Sequence, residues 1–169
     1  MVNRKFCMGT LAMVLAFGIM VVGCDNGTTS GNDISNVIIP SPWAGQYTGG
    51  GDTLNLNANG TMSWTVQGTS GSIDGVIIET GGTGTLAGQS GTWVYITTTK
   101  ANTINVGTAV TIPAGRVGII LQHALGVSIG TGQAGANNLL NNPQLAGVTW
   151  NPQPDTSRFP TAFFFGGDK

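Results

Sequence analysis

The residues of this 169-residue chain that could do chemistry are few, and their spacing argues against most enzymatic roles. The single histidine, His123, sits between Gln122 and Ala124 in an apolar run, so a serine–histidine–acid triad would need both partners delivered by the fold. No G-x-S-x-G occurs. Gly68-Thr69-Ser70-Gly71-Ser72 and Gly88-Gln89-Ser90-Gly91-Thr92 each lack the final glycine. Asp74 and Glu79, the nearest acidic pair downstream of residue 36, have an odd separation and so fall on opposite faces of an unbroken strand. One histidine and scattered acids give no metal-ligand cluster. Gly130-Thr131-Gly132-Gln133-Ala134-Gly135 matches the dinucleotide fingerprint, with Asp155 at the spacing of the ribose-binding acid. However, Pro143 stops the following helix too early for a crossover, and Asp155 lies among prolines rather than at a strand end. The expectation is therefore no catalytic residue, no metal and no cofactor.

Aromatic side chains are the remaining candidates. Trp64 and Trp93 occupy inward positions of alternating segments and are expected in the core. Trp43 and Trp150 adjoin proline or asparagine, where a rim position suits a ligand or partner contact. Phe163-Phe164-Phe165 puts rings on both faces of a strand, and Phe164 joins Trp43 and Trp150 as an expected contact residue.

The N-terminal segment carries a different chemistry. Arg4 and Lys5 precede an uncharged stretch from Phe6 to Val22, the basic and apolar regions of an export signal. It ends in Val21-Val22-Gly23-Cys24. This run resembles the lipobox of bacterial lipoproteins. The resemblance implies a diacylglycerol on the Cys24 sulfur, cleavage between Gly23 and Cys24, and acylation of the new amine. A palmitate-type anchor of this kind holds stably, because each buried methylene contributes about 0.8 kcal/mol. Cys7 and Cys24 are the only cysteines, so no thiol would remain for a disulfide or nucleophile. The implied location is the cell envelope, with the outer membrane favoured over the inner membrane.

Behind the signal peptide at 1–23, residues 24–42 are read as the lipidated cysteine and a flexible tether. Residues 25–36 have almost no apolar content and reach about 20 Å. The folded part begins near Val37–Pro40 or at Trp43, and residues 43–169 form one β-rich domain. Charged residues make up only 8% of the chain. Too few bases remain to neutralise a phosphate backbone, which excludes nucleic acid. A nearly neutral polar surface is compatible with a neutral partner such as a glycan and equally with no partner; a protein or an apolar small molecule is the other expected ligand.

The elements read as β-structure. Leu54 and Leu56 alternate with polar residues, Asn59-Gly60 supplies a turn, and Met62, Trp64 and Val66 alternate again. Further strands are expected at 45–48, 72–80, 91–99, 103–112, 147–151 and 161–165. Glycine clusters at 68–71 and 81–91 read as punctuation. Residues 116–130 fit a strand better than a helix, with a break near 123–126, and 136–142 suggests a short helical turn.

Trp43-Ala44-Gly45-Gln46-Tyr47 leads into the hairpin, and Gly91-Thr92-Trp93 recurs later. This pattern, with the leader and roughly residues 43–99, resembles the lipocalin-like barrel domains of envelope lipoproteins. The resemblance implies an all-β antiparallel meander closed as a small barrel, or packed as a sandwich. It also implies that some members bind apolar ligands, while many have no known activity. The expected function is a non-enzymatic interaction or binding module at the membrane surface, with a lipocalin-like carrier of a small apolar ligand as the alternative. A hydrolase ranks last.

Overall fold

The computed structural model describes residues 38–105, 107–161 and 164–169. The signal, Gly23, Cys24 and the tether at 25–36 lie outside the described residues, as does Phe163. What is described is all-β and antiparallel, as the alternation predicts. Strands β1 (Gly45–Gly49), β2 (Asp52–Leu56), β3 (Thr61–Val66) and β4 (Thr69–Asp74) form a meander. A long hairpin follows, β5 (Val76–Leu86) and β6 (Gln89–Thr98). Strands β7 (Asn102–Asn105) and β8 (Ala109–Ile112) make a separate two-stranded hairpin. Then come β9 (Gly115–His123), β10 (Gly126–Thr131), helix α1 (Gly132–Leu140), a 3-10 turn at Pro143–Leu145, β11 (Thr149–Asn151) and β12 (Phe165–Asp168).

Ten strands share one sheet in the order β11-β5-β6-β9-β10-β12-β1-β2-β3-β4. The sheet is open, with β11 and β4 at its edges, so the expected closed barrel does not form. The Asp74 N–H donates to Asn102 Oδ1 at 2.9 Å, and Asn102 Nδ2 donates back to the Asp74 carbonyl at 3.1 Å. β12 joins the two halves by pairing with both β10 and β1. Lys169 fastens this seam, its N–H donating to the Val127 carbonyl and its ammonium to that of Ala44.

Two cores lie against this sheet. The first gathers Leu54, Leu56, Met62, Trp64, Val94, Ile96, Ile120 and Ile129 around Trp43 and Tyr47. The second contains Trp93, Tyr95, Ile119 and Leu121, covered by Ala136 and Leu139 of α1 and by Leu145 and Phe159. Strands β6 and β9 supply both, because successive side chains point to opposite faces. Ile39 is fully buried in the first core, so the folded unit starts before Trp43.

The glycine segments were expected to be loops. Most of 81–91 is strand instead, and the absent side chains make room for indoles. A Cβ on Gly81 would lie 2.2 Å from the Trp93 ring, and one on Gly71 would lie 2.4 Å from Trp64. The real turns are two residues long, Gln67-Gly68 and Ala87-Gly88, with positive φ at both positions of each. That is the geometry whose twist matches paired strands.

Residues 116–130 are two strands with a break at Ala124-Leu125, as expected. The strand expected at 161–165 begins only at Phe165. The fingerprint-like glycines serve packing: a Cβ on Gly130 would lie 2.4 Å from the Gly135 carbonyl oxygen, and one on Gly135 would lie 2.2 Å from that of Phe165. They let α1 sit directly on β10 and β12.

Candidate functional site

A groove of about 360 Å³ runs where β12, β10, α1 and the β1–β2 turn meet. Its floor is apolar, from Ile129, Leu139 and Phe165. Its rim is polar, from Asp52, Asn138, Asn142 and Asp168. Phe164 stands over it with 47% of its surface exposed, while the next residue, Phe165, is buried with only 2% exposed. Alternation on entering β12 produces this split: one ring packs inward and the other remains at the rim.

The rim groups are partly committed. Asp52 Oδ1 accepts the Gln67 N–H at 2.8 Å and so caps the β3–β4 turn. Asn142 Oδ1 accepts the Gln144 N–H at 2.9 Å at the start of the 3-10 turn, leaving its amide nitrogen to donate. Asn138 makes no side-chain hydrogen bond among the described residues, so both ends of its amide face solvent. Donors, acceptors and one aromatic face therefore converge on a shallow groove.

Beside it lies a partly buried polar chain. Ser128 Oγ donates to Asp168 Oδ1 at 2.5 Å, His123 Nε2 lies 2.9 Å from the same Oγ, and His123 Nδ1 accepts the Leu125 N–H at 3.2 Å. The register accounts for it. Ser128 pairs with Asp168, and His123 pairs with Gly126, two positions before Ser128 on the same face. The Leu125 N–H fixes the tautomer: Nδ1 accepts, so Nε2 carries the proton and donates to Ser128.

This order differs from a catalytic triad. There, histidine takes the serine proton and the acid orients histidine. Here the serine stands in the middle, its proton held by the carboxylate and a lone pair occupied by the imidazole. The adjoining cleft is only about 130 Å³, below the size of small-molecule sites. Burial lowers the His123 pKa below its ordinary value, and the Asp168 charge opposes the shift. No three His, Cys, Asp or Glu side chains cluster as metal ligands among the described residues.

The three aromatic candidates are not brought together. Trp43 is buried, only 8% exposed, and does not form a rim contact. Its N–H and that of Ala44 both bond to the Pro40 carbonyl, and this turn folds the indole into the first core. Tyr47 Oη then donates to the Trp43 carbonyl at 2.6 Å. Trp150 is half-buried on edge strand β11 and packs edge-to-face on Trp93 at 6.3 Å. Phe164 alone faces a groove. The rim residues Asp52, Asn138, Asn142 and Asp168 went unnoticed in the sequence. The one available signal was Asn137, Asn138, Asn141 and Asn142, a cluster of weak helix formers in and just after a short helix.

No protein-family model, curated protein or solved structure matches this chain.

Proposed function

We propose that the chain is a cell-envelope lipoprotein, anchored in the membrane through acyl groups on Cys24, whose β-domain is a non-enzymatic binding module. In this reading the Phe164 groove takes a glycan. The observation that carries it is Phe164, exposed over a groove rimmed by Asp52, Asn138, Asn142 and Asp168. A pyranose has an apolar C–H face and a ring of equatorial hydroxyls. An aromatic side chain covers the first, and amides and carboxylates bond the second in pairs. The scarcity of charge suits a neutral ligand, and the filled cores favour binding on the surface over carriage inside. The middle position of Ser128, its proton held by Asp168, supports the non-enzymatic reading.

Two experiments test this. Labelling with radioactive palmitate is expected to mark the wild-type chain and leave Cys24→Ser unmarked. An unlabelled wild-type chain sinks the anchor, while fractionation separates outer from inner membrane. For the groove, a neutral-glycan array is expected to give a set of ligands that Phe164→Ala loses by tenfold or more. Phe164→Ala binding like wild type would remove the groove from the function.

A further inference from the structure

Charge is scarce in this chain, yet Glu79, Arg116, Asp155 and Arg158 line one cleft of about 420 Å³, together with Thr97. A β-bulge creates the arrangement. Thr97 pairs with Arg116 and Ile96 with Gly118, which leaves Val117 as the extra residue on β9. Val117 drops into the first core, and Arg116 is returned to the face that carries Tyr95. Its guanidinium lies 3.7 Å from the Tyr95 ring centroid, and its Nε donates to Glu79 Oε2 at 3.0 Å. Glu79 is there because it pairs with Tyr95 across β5 and β6. Stacking and the Nε bond fix the plane of the guanidinium, and its terminal nitrogens have no partner among the described residues.

The opposite wall is fastened to the same tyrosine. Tyr95 Oη accepts the Asp155 N–H at 3.0 Å, and Asp155 Oδ1 accepts the N–H and hydroxyl of Ser157 at 3.0 and 2.7 Å. The Ser157 bonds, and then the charges of Arg158 and Arg116, hold the Asp155 carboxyl below its usual range. This loop carries Arg158, which has no hydrogen bond or ion pair among the described residues. The Thr97 side chain supplies a second observation. Its residue is 8% exposed and its Oγ1 is buried with no hydrogen-bond partner. A folded chain seldom keeps such an atom unless something else completes it.

We propose that this cleft binds the carboxylate of a small ligand, held by the Arg158 guanidinium and the terminal nitrogens of Arg116, with the Thr97 hydroxyl as a further donor. The unused groups of Arg116, Arg158 and Thr97 that face the cleft can all donate, and a carboxylate accepts only. Two arginines against two carboxylates make the cleft nearly neutral, so Glu79 and Asp155 oppose the second negative charge of phosphate more than the single charge of a carboxylate. An acidic sugar and the end of a peptide both present this group.

The test is an NMR titration of the full chain in mild detergent at constant ionic strength. Glucuronate and N-acetylglycine are the carboxylate probes, with inorganic phosphate and glucose as controls. Saturable shifts of the Thr97 amide and Arg158 side-chain signals are expected with both carboxylates and neither control. Arg158 is exposed, so Arg158→Ala folds normally and is expected to weaken binding tenfold or more. Thr97→Val is expected to weaken it several-fold while raising the thermal midpoint of the unliganded chain, because it removes an unpartnered hydroxyl. Tighter binding of glucuronate assigns a saccharide acid, tighter binding of N-acetylglycine assigns a peptide end, and equal affinity assigns the carboxylate alone. Shifts that never saturate, phosphate binding as tightly as the carboxylates, or Arg158→Ala titrating like wild type would overturn the proposal. Phe164→Ala is expected to leave these titrations unchanged, so failure here and failure of the glycan groove are distinguishable.

Discussion

The two cores share strands β6 and β9 but are built differently. The first is assembled largely from strands that alternate apolar and polar residues, and much of it comes from the β1–β4 meander and the strands beside it. The second is walled by strands on one side only. Its cover comes from α1, the 3-10 turn and Phe159, and its centre is a set of edge-to-face rings: Trp93 on Tyr95 at 4.9 Å, and Tyr95 on Phe159 at 6.2 Å. A core made by alternation repeats its instruction every second residue. A core made by a lid depends on single large side chains fitting single gaps.

The largest test of this contrast removes one residue from each. Trp93→Ala, at a fully buried indole, is expected to cost about 3–5 kcal/mol, and Leu54→Ala about 2–5 kcal/mol. Urea unfolding followed by far- and near-ultraviolet circular dichroism reads both. Because β6 and β9 belong to both cores, each variant is expected to show one coincident transition. Two separate transitions would mean the cores are independent.

A finer test uses the glycine seats. Gly81→Ala forces a Cβ against an indole held by both walls of the second core and is expected to cost about 1–3 kcal/mol. Gly71→Ala meets Trp64 from edge strand β4, which is free to move outward, so its cost is expected to be smaller. The same denaturation curves decide, and equal costs would remove the distinction between a fixed seat and a yielding one.

Smaller still is Tyr47→Phe, which deletes the bond to the Trp43 carbonyl and is expected to cost about 1 kcal/mol. Burial raises the Tyr47 pKa above its ordinary value near 10. The neutral phenol is therefore favoured in the fold. Its contribution is fully present below about pH 10 and is lost as pH rises beyond it. Wild type is expected to lose stability there more steeply than Tyr47→Phe, and parallel pH profiles would contradict this. The smallest effect is a gain. Ala87 has a φ of 50°, which costs a residue with a side chain roughly 1 kcal/mol. Ala87→Asn is expected to recover part of that, read as a rise in the urea midpoint.

The same contrast governs what could be read in advance. Leu54, Leu56, Met62 and Trp64 declare the β2–β3 hairpin because every inward position is filled. The β5–β6 hairpin hides because Gly81, Gly82 and Gly84 leave positions empty for the Trp93 and Leu121 side chains, and because Ala87-Gly88 lacks the asparagine or aspartate that marks such turns. Trp43 looked peripheral beside Pro40 and Pro42, yet those residues turn it inward. Phe164 was legible from the phenylalanine triplet. The rest of the groove was not, since Asp52, Asn138 and Asp168 meet only once β12 is placed. Arg116 depends on a one-residue bulge, which flips a side chain between faces without leaving a mark in the sequence.

The position of β12 also orders events in time. β12 comes last among the described strands, yet it sits between β10 and β1. Without it, β10 and β1 each present a bare edge, and no other described strand pairs there. The link from β1 to β12 spans most of the domain, a high contact order that slows folding. Maturation of this sheet is thus gated by its final segment. Within the sheet, the two halves on either side of it meet only through that strand.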